Sequence, residues 1–132
     1  INEYQKGQVA SNATSIAQGH YSKSAWFRGI FNNDTPVGFV MMDLIKEENK
    51  CFLWRFMIDK KFQGRGYGKI ALTQVIQHVK SLKTFYEIKT SCVPKKNGAK
   101  GFYKNFGFIE SEKVIKEFGL EGSGEIGMKY QL

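Results

Sequence analysis

The stretch Lys60-Lys61-Phe62-Gln63-Gly64-Arg65-Gly66-Tyr67-Gly68-Lys69 concentrates residues that can do chemistry. Glycines at every second position remove Cβ atoms, so successive backbone N–H groups can converge on an anion. A helix starting there would add the positive end of its dipole to the same spot. Arg65 and Lys69 would bring full charges to a phosphate or pyrophosphate held by those amides.

Two known nucleotide loops compete for these glycines, and neither is satisfied. A Walker A loop needs a hydroxyl after its Gly-Lys, whereas Ile70 follows Gly68-Lys69. A dinucleotide fingerprint needs a final glycine where Lys69 stands. The plainer alternative is a glycine-rich turn with no ligand.

Such a loop must be held between a strand and a helix. Cys51 to Asp59 is a nearly continuous apolar run, as a central strand buried on both faces requires. From Gly66 onward, Leu72, Val75, Ile76 and Val79 form one stripe of an amphipathic helix ending near Leu82. Upstream, the sequence predicts a helix over Asn12 to Tyr21 and strands over Trp26 to Phe31 and Val37 to Ile45, joined as a hairpin by the turn Asn32 to Pro36. A charged turn, Lys46 to Lys50, leads into the core strand.

Downstream come a strand over Phe85 to Val93, a short helix over Ala99 to Phe106, and closing strands from Phe108 and over Glu125 to Tyr130. The order predicts an α+β fold of mixed α/β layers. With 132 residues and no internal repeat or linker, residues 1–132 read as a single domain.

Apolar runs stop well short of the roughly 18 residues that span a bilayer, and Ile1 to Ala10 lacks a secretion-signal pattern, so a soluble, cytoplasmic protein is expected. The N-terminus reads as truncated or incompletely ordered. Cys51 and Cys92 read as reduced core thiols rather than a disulfide or metal framework, and no metal is expected. The net charge of +8 is uneven: residues 60–104 hold eleven Lys/Arg against the single Glu87. That field favours an anionic partner, whether nucleic acid, an acidic surface or a phosphorylated small molecule.

Three segments together resemble the GNAT acetyltransferase superfamily. Gln63-Gly64-Arg65-Gly66-Tyr67-Gly68 matches its Q/R-x-x-G-x-G/A signature, Arg55-Phe56-Met57-Ile58-Asp59 is similar to its bulged strand, and Ala99 to Phe108 to its late A-x-x-(L/F)-Y-x-x-x-G-F element. The resemblance covers roughly Trp26 to Leu132. It implies a mixed central sheet, splayed in the middle and flanked by helices, with the family's first strand missing from this chain.

It also implies acetyl-CoA as co-substrate. Backbone groups of Phe56, Met57 and Ile58 would pair with the pantetheine arm, and the amides of Gly64, Arg65, Gly66, Tyr67, Gly68 and Lys69, with Gln63 before them, would hold the pyrophosphate. Tyr103 matches the position of a tyrosine that protonates the leaving thiolate. The family's asparagine, three residues before the Ala, is replaced by Lys96, leaving Asn97 one place late as the candidate cofactor contact.

Local likeness is sharpest to bacterial diamine (spermine/spermidine) acetyltransferases, through Pro36 to Met41, Leu53 to Asp59 and Tyr67-Gly68-Lys69. A small polyamine acceptor would need carboxylates, for which Asp43, Glu47, Glu48, Glu110, Glu112, Glu117, Glu121 and Glu125 are candidates. His20 and His78 read as solvated rather than catalytic. Competing readings are a protein lysine, an N-terminus or a xenobiotic amine as acceptor, a catalytically silent acetyl-CoA-binding fold, and a nucleic-acid module built on Lys60, Lys61, Lys95, Lys96, Lys100 and Lys104. The resemblance also allows a homodimer.

Overall fold

The computed structural model describes residues 24–95 and 98–132. The helix expected over Asn12 to Tyr21, together with His20, Lys96 and Asn97, lies outside the described residues. The strands are β1 (Ala25–Asn32), β2 (Thr35–Ile45), β3 (Lys50–Ile58), β4 (Glu87–Cys92), β5 (Ile109–Glu110) and β6 (Ile126–Gln131). The helices are α1 (Tyr67–Ser81), α2 (Ala99–Phe106) and α3 (Glu112–Glu117).

The sheet order is β1-β2-β3-β4-β6-β5. The predicted hairpin forms: β1 and β2 pair antiparallel out to Asn32↔Thr35, and Asn33 takes the left-handed conformation (φ 56°) that asparagine tolerates. In the next pair Met41 faces Arg55 while Met42 faces Leu53, so Trp54 is an extra residue and β3 carries a bulge there. Before it, Cys51, Phe52 and Leu53 are all buried; after it, exposure alternates.

The sheet changes character at its centre. β3 and β4 run parallel and pair only at Phe52↔Lys89 and Leu53↔Thr90, whereas β4 and β6 pair antiparallel along six positions. Past Leu53 and Thr90 the two strands separate, giving the splayed mixed sheet that the resemblance implies.

The apolar stripe of α1 (Leu72, Val75, Ile76, Val79) packs into one cluster with Val40, Met42, Cys51 and Leu53 from β2 and β3, and Ile88, Cys92 and Met128 from β4 and β6. Each such side chain fully buried contributes about 1.5–3 kcal/mol. On the other face the Phe118 ring lies 4.1 Å from that of Phe52. Cys51 and Cys92 are free, buried thiols, as expected.

Two expectations are corrected. The segment after Phe108 is a two-residue strand followed by α3, where the sequence predicts strand. The β-branched pair Val114-Ile115 favours strand locally, but the turn is drawn onto β6: a Cβ on Gly127 would meet the Ser111 carbonyl at 2.5 Å. His78 is half-buried rather than solvated, stacked on Trp26 with ring centres 5.0 Å apart. Among the described residues no helix is long and apolar enough to cross a membrane.

Candidate active site

The glycine loop is tied down at both ends. The Lys61 N–H donates to the Asp59 carboxylate (3.3 Å), starting a single 3-10 turn over Lys60–Phe62, and the Gln63 side-chain amide donates to the Ile58 carbonyl (2.9 Å). Gly64 and Gly66 then take φ of 77° and 84°, a region that costs a residue with a Cβ about 1–2 kcal/mol. Helix α1 starts immediately. The Ile70 N–H finds the Gly66 carbonyl (3.2 Å), so the N–H groups of Tyr67, Gly68 and Lys69 in the first turn have no intrahelical acceptor.

In front of these amides lies a groove of about 520 Å³, walled by Phe56 and Ile58 of β3, the loop, and Phe102 and Tyr103 of α2. The rings of Phe56 and Phe102 stack across it, 6.1 Å apart and 18° from parallel. Backbone polar groups alternate sides along a strand. The Asp59 N–H donates to Val37 (2.7 Å), so Asp59 and Met57 face β2, while Phe56 and Ile58 face the gap left where β4 diverges.

Lys61 and Arg65 lie over the Phe62 ring at the lip of the groove, 5.4 and 5.7 Å from its centre. Among the described residues Lys60, Lys61, Arg65 and Lys69 enter no ion pair. Lys100 and Lys104, by contrast, both pair with Glu110 (3.4 and 3.7 Å), and Lys89 pairs with Glu117 (2.6 Å). Lys80, Lys83 and Lys95 enter no ion pair either among the described residues, so the loop holds a cluster of unpaired cations without holding all of them.

A family model described as "Acetyltransferase (GNAT) family" matches residues 3–108. The chain belongs to the GNAT acetyltransferase family. It is 36% identical over 95 residues to the spermine/spermidine N(1)-acetyltransferase of Bacillus subtilis (strain 168), covering 67% of this chain and 60% of that relative's length. Among solved structures, PaiA N-acetyltransferase from Thermoplasma acidophilum in complex with coenzyme A superposes with a TM-score of 0.71 at 18% identity, over 97% of this chain and 74% of that one. A GNAT family acetyltransferase from Elizabethkingia anophelis with acetyl-CoA bound gives 0.69 at 18% identity, over 89% and 82%. At such identities the structural likeness is one of fold.

The GNAT positions named from the sequence are distributed unevenly. Phe56, Ile58, Gln63, Gly64, Gly66, Tyr67, Gly68, Lys69 and Tyr103 meet around one groove. Met57 turns its backbone to β2 and its half-exposed side chain away, and Arg65 stands at the lip over Phe62. Tyr67 also accepts a hydrogen bond from the Asn32 side chain (2.8 Å), which links β1 to the start of the helix.

Tyr103 sits deepest, 5% exposed, at the level where β3 and β4 part. Burial pushes its hydroxyl up to about 12, with a hydrogen bond to Thr90 acting the other way and Cys92 adding to the rise. The phenol therefore stays protonated at neutral pH. Phe62 and Phe102 also line this groove, and Thr90 lies behind it on β4. Phe102 stands at the L/F position of the late element and is legible there, whereas Phe62 carries no spacing signal and a threonine within a strand reads as ordinary β-propensity.

Several of the candidate acids have partners elsewhere. Asp43 is buried and accepts from the Ser24 hydroxyl, Glu48 pairs with Lys50 (3.3 Å), and Glu110 and Glu117 are in the ion pairs above. Glu125 is half-buried and accepts from the neutral Ser91 hydroxyl (2.9 Å), on the sheet face opposite the one on which Thr90 meets Tyr103.

Proposed function

We propose that this GNAT chain moves the acetyl group of acetyl-CoA to a primary amine, with a polyamine as the acceptor. What carries the proposal is one groove that joins the outward amides of α1, the unpaired edge of β3 and the buried Tyr103 hydroxyl. The donor set suits an anion at one end and an extended amide-bearing chain along the strand, since Phe56 offers its backbone groups, and Ile58 its N–H, at an open sheet edge, the Ile58 carbonyl already accepting from Gln63.

When bound, acetyl-CoA supplies an acyl thioester, a carbon activated for attack by an amine. Tyr67, Gly68 and Lys69 would hold its phosphates by their N–H groups, with Lys69 and Arg65 adding charge. Phe56 and Phe102 would exclude water from the arm. Tyr103 would give its proton to the departing sulfur as the C–S bond breaks, and the amine's own proton would pass to water or to a carboxylate.

A polyamine is supported by the name of the Bacillus subtilis relative. A cationic acceptor could also be met on the far face of β4, where Glu125 has only a neutral partner among the described side chains. The test is thiol release from acetyl-CoA across spermidine, spermine, putrescine, aminoglycosides and lysine peptides, with a calorimetric titration of CoA alongside. Turnover on polyamines is the expected result; turnover confined to another amine would overturn the acceptor, and no CoA binding would overturn the groove assignment.

A further inference from the structure

Thr90 is 1% exposed on β4, and its hydroxyl donates to the carbonyl of Leu53 on β3 (2.8 Å). Leu53↔Thr90 is the last pair at which these strands meet. At that position a side-chain hydrogen bond crosses from one strand to the other, and Tyr103 packs in one cluster with Ile88 and Cys92, which flank Thr90 on the same buried face of β4, so the Thr90 hydroxyl is the polar neighbour that acts on the phenol. A threonine hydroxyl has one donor and two acceptor sites. With its donor engaged by Leu53, it can only accept from the phenol while the phenol carries its proton.

We propose that Thr90 is a positioning residue for Tyr103: anchored on the Leu53 carbonyl, its hydroxyl holds the phenol at the point where the strands part, and turns its own O–H to the phenol oxygen once that proton has left. This rests on the acetyl-transfer reading. The balance is simple. The proton on Tyr103 goes to the departing sulfur, the Thr90 proton stays on its own oxygen and changes acceptor, and the Leu53 carbonyl gives up its partner for the lifetime of the phenolate. Without Thr90 a buried phenolate would have no such donor, which is costly in a desolvated site.

Thr90→Val keeps the β-branched shape and removes the hydroxyl, whereas Thr90→Ser keeps the hydroxyl. Thr90→Val is expected to lower kcat about 3- to 10-fold, the worth of one hydrogen bond, with acetyl-CoA affinity by calorimetry unchanged, and Thr90→Ser to restore most of the rate. In a Tyr103→Phe background, Thr90→Val should cost nothing further. Wild-type kcat in Thr90→Val, or a full additive loss in the double variant, would overturn the proposal.

A second readout does not need turnover. In protein carrying 13C-labelled tyrosine, the Tyr103 Cζ resonance, assigned with Tyr103→Phe, should move in Thr90→Val and stay in Thr90→Ser; an unmoved resonance overturns the contact. If the wild-type chain acetylates no amine, the acetyl-transfer reading falls and the proton step with it, while the resonance still decides whether Thr90 holds the phenol.

Discussion

Gly68 and Phe102 meet across the groove: a Cβ on Gly68 would lie 3.4 Å from the Phe102 ring and 3.8 Å from Ile58 Cγ1. A methyl in this first turn of α1 would make ordinary van der Waals contact with both walls of the groove. Gly68→Ala should stabilise the helix by up to about 1 kcal/mol, because alanine loses less backbone entropy. The GNAT signature accepts alanine at this position, so CoA affinity should hold. Thermal unfolding is expected to shift upward with the calorimetric affinity unchanged, and a marked loss of affinity would show that the ligand passes against Gly68 more closely than the groove allows for.

Gly66 poses a different constraint. A Cβ there would meet nothing within 4 Å, yet φ is 84°. Gly66→Ala should therefore cost about 1–2 kcal/mol through backbone strain, and Gly66→Asn less, since asparagine visits the left-handed region more readily. Urea unfolding of the two variants checks the order.

Gly38, at the hairpin end of β2, is constrained by contact instead. A Cβ would stand 2.0 Å from the Met57 carbonyl oxygen, closer than any side chain tolerates, and that neighbour is backbone. Gly38→Ala should destabilise by about 3 kcal/mol or more by forcing β2 from β3. Full stability in chemical unfolding would contradict this.

Tyr103→Phe removes one oxygen from a buried position and leaves Thr90 bonded to Leu53. If the phenol is the acid, kcat should fall about 10²- to 10⁴-fold while acetyl-CoA affinity holds. Retained kcat in steady-state assays would assign the proton to another donor.

Alkaline pH should unfold the chain through buried acids. Cys51 is pushed up from 9.0 to about 12, by burial first and Asp43 second, with Lys89 opposing, and Tyr103 from 10.0 to about 12. In both the folded state keeps its proton after the unfolded state has lost it. Their contribution is complete below the unfolded values and is lost as pH rises through the folded ones. Each group should remove about 1.4 kcal/mol per pH unit in its window, from 9 for Cys51 and from 10 for Tyr103. Urea midpoints followed from about pH 8 upward should show the decline, and Cys51→Val should make its first unit shallower.

Much of this architecture is legible in the residue pattern because it is local. The unbroken apolar run at Cys51–Leu53 marks the central strand, the stripe from Leu72 to Val79 marks α1, and the glycines mark the loop between them. The six-residue α3 is not legible, since Val114-Ile115 favours strand and its close seating on Gly127 of β6 is a contact distant in sequence. Thr90 is invisible for a related reason. Its role depends on Leu53 and Tyr103, far away in sequence, and on β3 and β4 parting where they do.

That parting also sets how the molecule deforms. A sheet whose two halves share only two residue pairs transmits little force through its backbone ladder there. The continuity comes from the apolar layer around α1, which holds Cys51 and Leu53 on one side and Ile88 and Cys92 on the other. The sheet therefore works as a hinge with its spine at Leu53 and Thr90, and the two leaves should flex about that line sooner than either bends within itself.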